Sequence, residues 1–346
     1  MAPDYHSLVV DRVIPETLFA STLVFQVPSD LQPLFCFQPG QFLTLRVPRG
    51  DRYSPRCYSI SSGPGEPLAV TVKRVRGGFG SNWLLDHVKA GHRLEVRPPS
   101  GRFTPRTMHR SLVLFAAGSG ITPMMSILRH QMAEGLFDCM AMFYANQDPD
   151  QVIFGSSLRE MARVSGGRFV LTEWIDQERG FATLADIVAY ATPWKGAHFM
   201  LCGPEAFMRL VSEALEGLGI PSEQVQTEKF VSLSDEPIHS SRPEAPGSTV
   251  QSDLEESSLE LQVSGESHLI PVQRDETLLA AIERMGVAVP FSCREGSCGS
   301  CMGRLLDGEV HMDVTDALSQ KERERGYVLT CQAYPRSARL KVDMDA

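Results

Sequence analysis

No run in this sequence is apolar for long enough to cross a bilayer as a helix, which excludes an integral helical membrane protein. The amino-terminal Met1-Ala2-Pro3-Asp4-Tyr5-His6 has no basic region and no apolar stretch behind it, so no secretory signal is expected. There is no surplus of positive charge either. The 33 Lys and Arg stand against 42 Asp and Glu, a formal −9, which argues against nucleic acid as a partner. Histidine is scarce and scattered. Nine are present, with no Cys-x-His pair for a Rieske centre and no two-His, one-carboxylate set, so the chain carries no oxygen-activating iron of those kinds. No internal repeat is found. Without an export signal, the eight cysteines point to a reducing, cytoplasmic setting, where Cys36, Cys57, Cys139 and Cys202 stay unpaired.

What is present begins with the other four cysteines. Cys293, Cys298 and Cys301 follow the spacing C-x4-C-x2-C in Cys293-Arg294-Glu295-Gly296-Ser297-Cys298-Gly299-Ser300-Cys301, and Cys331 stands alone after them. That is the ligand pattern of a plant-type [2Fe–2S] cluster. Structural zinc sites instead pair one C-x2-C with a second such pair or with His, and a zinc-bound docking domain is the alternative to weigh. The glycines and serines let a short loop curl so that its N–H groups point at sulfur.

Residues 1–105 alternate apolar and polar, as in Phe42-Leu43-Thr44-Leu45-Arg46-Val47 and Leu68-Ala69-Val70-Thr71-Val72-Lys73, with Pro/Gly breaks between. An antiparallel β-barrel is expected. Two segments in it suit a nucleotide-like ligand. In Arg56-Cys57-Tyr58-Ser59, Arg56 and Tyr58 share a strand face, so a guanidinium and a ring would meet one ligand. In Gly77-Gly78-Phe79-Gly80-Ser81-Asn82, a glycine loop opens a helix, where N–H groups and the dipole favour an anion. Each alone also fits an ordinary surface charge or turn.

Residues 106–232 alternate apolar runs with helical stretches, the pattern of a parallel α/β sheet. The first run enters Gly118-Ser119-Gly120-Ile121-Thr122-Pro123. There the glycines allow close backbone approach and Thr122 is expected to cap the helix. The fourth run ends in Cys202-Gly203-Pro204, at the same rim. After the second come Asn146, Gln147, Asp148 and Asp150, with no Arg for a 2′-phosphate, which favours NADH. Residues 233–258 turn to Ser, Pro, Glu and Asp and read as a mobile linker. Residues 259–346 hold the cysteine pattern on an expected small mixed sheet with a helix over Thr277 to Met285.

Charge divides with the modules. Up to Ser232 there are 22 basic and 22 acidic residues, net 0; from Leu233 there are 11 and 20, net −9. The acidic third either suits a basic protein partner or serves solubility.

Taken together, Arg56-x-Tyr58-Ser59, Gly77-Gly78-x-Gly80-Ser81, Gly118 to Pro123 and Cys202-Gly203-Pro204 resemble the ferredoxin–NADP reductase superfamily. The cysteine pattern resembles a plant-type ferredoxin fused behind it. The order of modules is that of oxygenase reductase components. The stretches Arg56 to Ser62 and Gly78 to Leu84 are similar to the ketosteroid 9α-hydroxylase reductase and phenylacetyl-CoA epoxidase reductase groups.

The resemblance implies a flavin-binding barrel, an NAD-binding α/β domain and a β-grasp ferredoxin domain. It implies FAD, in a family with both FAD and FMN members, one [2Fe–2S] cluster, and NADH as donor. By it, Arg56 would meet the flavin pyrophosphate, Tyr58 flank the ring, and Ser59 lie near N5. Gly78, Gly80, Ser81 and Asn82 would hold phosphate. Gly118, Gly120, Thr122, Gly203 and Pro204 would face the dinucleotide. Ser59, Cys202 and Glu228 would border the hydride path, with Phe230 near the flavin. The cluster would hang on Cys293, Cys298, Cys301 and Cys331. The acceptor would be a separate terminal oxygenase, Rieske-type in the first instance and diiron or haem as alternatives, met by a monomer.

Overall fold

The computed structural model describes residues 5–50, 52–105, 111–230, 256–294, 296, 298–315, 317–318 and 320–345. They form two compact units, residues 5–230 and 256–345. The expected mobile linker falls almost wholly outside the described residues, as do Met1 to Asp4 of the leader reading and Glu295 and Ser297 of the cysteine loop.

The first unit begins with a six-stranded antiparallel sheet: β1 (His6–Thr17), β2 (Ala20–Gln26), β3 (Phe42–Arg49), β4 (Arg52–Ser59), β5 (Ala69–Lys73) and β6 (Arg93–Ser100). Their order is β4-β3-β6-β1-β2-β5. A bridge between Ile60 and Val70 joins the two edges and closes the barrel. Leu43, Leu45 and Val47 of β3 lie wholly inside with Leu8, Leu23 and Val70. Each such side chain contributes about 1.5–3 kcal/mol by leaving water. Helix α1 (Phe79–His87) covers one end of this core through Leu84.

The second layer is a five-stranded parallel sheet: β7 (Ser111–Ala117), β8 (Cys139–Asn146), β9 (Phe169–Ile175), β10 (His198–Gly203) and β11 (Val225–Lys229), in the order β11-β10-β7-β8-β9. Its helices are α2 (Ile121–Glu134), α3 (Gly155–Val164), α4 (Asp176–Arg179), α5 (Leu184–Ala191) and α6 (Glu205–Gly217). The inner strands β10, β7 and β8 are covered on both faces, which is why they read as unbroken apolar runs. Leu112, Leu114 and Ala116 of β7 face α2 and α3, while Val113, Phe115 and Ala117 face α5 and α6. The strand order reverses direction at β7 and β10, which makes their carboxyl ends a switch point.

Barrel and parallel sheet meet along α2. Ser126 Oγ, fully buried, donates to the Ser62 carbonyl at 2.7 Å, and Arg129 pairs with Glu66 at 2.9 Å. Ala20 and Phe103 extend the core under α2 from the barrel side. This fixes the barrel rim over the switch point.

The second unit has a mixed five-stranded sheet of order β13-β12-β18-β14-β16 and a two-stranded sheet of β15 and β17. The elements are β12 (Glu256–Val263), β13 (Glu266–Gln273), α7 (Leu278–Arg284), β14 (Met302–Asp307), β15 (Val310–Met312), α8 (Gln320–Glu324), β16 (Tyr327–Leu329), β17 (Ala333–Pro335) and β18 (Arg339–Asp343). β12 starts at Glu256, three residues ahead of the expected Leu259. Ser264 and Gly265 turn the β12–β13 hairpin with φ of 53° and 76°, the left-handed pair that a two-residue turn requires. α7 crosses the sheet with Thr277 as its N-cap, its hydroxyl accepting from Ala280 N at 3.2 Å. β12 and β18 run parallel at the centre, giving a β-grasp. Among the described residues, no helix is long and apolar enough to cross a membrane.

Candidate functional site

The barrel contributes β4 and α1. Arg56 lies opposite Leu45 and Tyr58 opposite Leu43, so both project from the face that lines the barrel. Arg56 donates to Ser54 Oγ at 2.6 Å and to the Pro55 carbonyl at 2.8 Å. Its stem crosses the first turn of α1. A Cβ at Gly80 would sit 2.8 Å from Arg56 Cγ and 3.3 Å from its Nε. Glycine is needed there to let the guanidinium lie beside the first-turn N–H groups, a pairing suited to phosphate. Tyr58 is half-buried against the barrel core, and burial pushes its hydroxyl well up, partly opposed by Arg56. Ser59 is buried at the end of β4.

The helix starts at Phe79, inside the glycine segment rather than after it. Gly80, Ser81 and Asn82 are therefore helical, with Gly78 as N-cap. Two of their side chains close the loop: Ser81 Oγ accepts from Val75 N at 3.2 Å, and Asn82 Oδ1 accepts from Arg74 at 3.4 Å.

At the switch point two strand ends touch. A Cβ on Gly120 would stand 2.1 Å from the Cys202 carbonyl oxygen and 2.8 Å from Gly203 N. One on Gly203 would press on Ala117 at 3.0 Å. Gly118 takes φ +53°. Thr122 does not cap α2. The N-cap is Gly120, and the Thr122 hydroxyl, already inside the helix, donates to Ser119 O at 3.0 Å. Pro123 falls in the first turn as expected, and Pro204 is the N-cap of α6.

Cys202 is fully buried and registers with Glu228 on the adjoining β11. The stem of Glu228 is partly exposed, but its Oε2 is enclosed without a hydrogen-bond partner. Enclosure raises the Glu228 carboxyl to about 8, and burial followed by Glu228 raises the Cys202 thiol. Phe230, 41% exposed, follows β11.

One residue that motif reading passed over is Lys73, at the end of β5. Its Nζ lies 3.5 Å from where a Gly118 Cβ would be, and burial lowers its pKa against the pull of Asp148. It puts a cation beside the Gly118–Gly120 turn. The available signal was a lysine closing an otherwise apolar alternation.

In the second unit the four cysteines are neighbours. Cys293 N donates to Cys298 Sγ at 3.4 Å. As free thiols, Cys301 and Cys331 share a hydrogen bond, which holds Cys301 up and Cys331 down. Cys293, Cys301 and Cys331 are buried and Cys298 is half-buried. Left-handed backbone at Arg294, Gly296 and Gly299 curls the loop, with φ of 60°, 72° and 67°. Among the described residues no three His, Cys, Asp or Glu side chains converge as a single metal ion requires. Cys293, Cys298, Cys301 and Cys331 would together supply the four sulfur ligands that a [2Fe–2S] cluster needs.

Comparison with known proteins agrees module by module. A family model for an oxidoreductase FAD-binding domain matches residues 17–104, one for an oxidoreductase NAD-binding domain residues 114–213, and one for a 2Fe-2S iron-sulfur cluster binding domain residues 261–336. The chain is 39% identical over 340 residues to the ferredoxin reductase component of 3-ketosteroid-9-alpha-monooxygenase from Rhodococcus rhodochrous, covering 97% of this chain and 96% of that one. It is 32% identical to one of the subunits of 1,2-phenylacetyl-CoA epoxidase from Escherichia coli, with 99% and 98% covered. Among solved structures it superposes on phthalate dioxygenase reductase with a TM-score of 0.60, 26% identity and 98% of both chains covered. FAD, NAD and a [2Fe–2S] cluster are thus the cofactors its domains are built for, and the chain belongs to the family of flavin- and iron–sulfur-containing reductase components of multicomponent oxygenases.

Proposed function

We propose that this protein draws electrons from NADH in preference to NADPH and delivers them, through a cluster on Cys293, Cys298, Cys301 and Cys331, to a separate Rieske-type terminal oxygenase. A flavin held in the barrel would supply the conversion between the two-electron chemistry of a nicotinamide and a one-electron centre, which is why both sites would share one chain. The observation that carries the reading is the contact of Gly120 with Cys202 and Gly203 at the switch point, beside Lys73 and under the barrel rim.

The residues have divided tasks. Arg56 and the first turn of α1 hold the flavin pyrophosphate, Tyr58 flanks the ring, and Ser59 presents its hydroxyl near N5. Gly118 and Gly120 admit the dinucleotide backbone, and Lys73 offsets its phosphate charge. Cys202 and Glu228, whose enclosure favours their neutral forms, border the nicotinamide. Asp148 and Asp150 after β8, with Asp176 opening α4 after β9, make the outer rim acidic, which disfavours a 2′-phosphate. Gln177 N donates to the Gln147 carbonyl at 3.1 Å, joining the two rim segments.

The relatives, whose names place them with a ketosteroid monooxygenase and an epoxidase, support a separate oxygenase as the partner. The acidic carboxy-terminal third favours a partner with a basic docking face. The reading places the chain in the cytoplasm as a monomer. Anaerobic stopped-flow mixing of the NADH-reduced protein with a Rieske, a diiron and a haem acceptor tests it. Rieske reduction should be fastest and should slow as salt rises. Equal rates on all three, or equal kcat/KM for NADH and NADPH, would overturn the corresponding half.

A further inference from the structure

Gln332 follows the last cysteine and takes no part in the ligand pattern. Its side chain nevertheless reaches across the cysteine loop. Nε2 donates to the Arg294 carbonyl at 2.9 Å, to the Cys331 carbonyl at 3.1 Å and towards Cys331 Sγ at 3.8 Å. A primary amide has two N–H groups. One serves Arg294, and the other is shared between the carbonyl and the sulfur of Cys331. The Gln332 stem packs against the loop as well: a Cβ on Gly296 would stand 3.0 Å from Gln332 Cγ.

Arg294 is where such a clamp matters. It sits at φ 60°, in the left-handed region that residues with a side chain disfavour. Its own side chain is committed outward, paired with Glu283 at 2.6 Å and laid over the Phe291 ring at 4.7 Å. Its carbonyl therefore depends on the Gln332 amide, 38 residues on in the chain. The same amide puts an N–H on a sulfur that the ligand reading assigns to iron. N–H groups on ligand sulfurs withdraw electron density and favour the reduced, more negative cluster.

We propose that Gln332 is a positioning residue for the iron–sulfur centre, its single amide both pinning the left-handed Arg294 turn of the loop and raising the reduction potential through Cys331. The proposal rests on Cys293, Cys298, Cys301 and Cys331 being the ligands. It does not depend on the identity of the oxygenase.

The test is an EPR-monitored redox titration of the full holoprotein under anaerobic conditions, with iron content measured alongside. Gln332→Met keeps length and neutrality but has no donor. At a fixed ambient potential its ratio of reduced to oxidised cluster should fall about threefold to tenfold, a lowering of about 30–60 mV for one electron. Arg294→Gly in the Gln332→Met background removes the left-handed strain and separates the two roles. It should restore the retention of iron while the potential stays low.

An unchanged potential in Gln332→Met with full iron content overturns the tuning role. If Gln332→Met cannot hold iron, recovery of iron in the double variant supports the clamp and the potential is read there; failure to recover it overturns the clamp. A wild-type protein lacking any cluster signal would instead defeat the ligand assignment, an outcome distinct from both.

Discussion

The two units build their sites by opposite means. In residues 5–230 the site is made of the ends of regular elements: β4, β7, β10 and the first turns of α1 and α2, brought together by cores that run beneath them. In residues 256–345 the site is a loop whose described residues include three in left-handed backbone, tied to Thr330, just after β16, and to α7 by side chains. The first kind of site is rigid because its scaffold is; the second needs its own fastenings. Stored strain at Arg294 and close backbone contact at Gly120 are the local marks of that difference.

Removing one cysteine should give the sharpest contrast. The barrel and parallel sheet have core clusters of their own within residues 5–230, so loss of the iron–sulfur centre should leave them intact. Cys298→Ser should abolish the cluster's visible bands and its EPR signal on reduction. Flavin reduction by NADH should stay within about twofold of wild type, because the residues proposed for that step all lie in the first unit. Visible absorbance at constant flavin content checks both outcomes. A fall in flavin reduction as large as the loss of cluster would show that the two sites are not independent.

The second contrast lies within the first unit, between two glycines of one helix. Gly120, before α2, is pressed against the backbone of Cys202 and Gly203, whereas Gly135, after α2, has φ +63° and open space around it. Gly120→Ala must part β7 from β10, a destabilisation of about 3 kcal/mol or more, or roughly 6–12 °C in Tm for a unit of this size. Gly135→Ala costs only the left-handed penalty, about 1 kcal/mol. NADH-driven flavin reduction should fall more than about tenfold in the first variant and not in the second. Equal Tm losses would remove the close-contact argument for the switch point.

Much of the first unit could be read from sequence for a physical reason. Strands buried on both faces must be apolar throughout, and half-buried ones must alternate, so β3, β5, β7, β8, β9 and β10 announce themselves. Glycines at Gly118 and Gly120 mark the rim because close backbone approach admits little else. The cysteine pattern is legible because thiolate ligands have no substitute. Other features depend on tertiary placement and leave little trace. The register of the helix start, which put Gly120 rather than Thr122 at the cap of α2, is decided by the contact with Cys202. The Ser126–Ser62 bond joins positions 64 apart, and the Gln332–Arg294 bond positions 38 apart. Lys73 reads as the polar end of a strand until the turn at Gly118 is laid beside it.

Glu228 sharpens the comparison from within the rigid unit, as a titratable group there with no fastening of its own. Its folded pKa of about 8 lies above the usual 4.5 because its carboxyl is enclosed beside Cys202. Between those values the folded protein keeps a proton that the unfolded chain has released. Stability should therefore decline as pH rises from about 4.5 to about 8 and level off above it. Glu228→Gln cannot titrate, so it should remove this component of the slope. Its Tm should match wild type near pH 5 and exceed it at pH 8.5. Flavin fluorescence on heating the full protein reports on the unit that holds Glu228. A parallel Tm–pH curve for the variant would mean that the carboxyl finds water or a cation in solution. The enclosed rim would then be a charged one, and Cys202 would have an ionised neighbour at neutral pH.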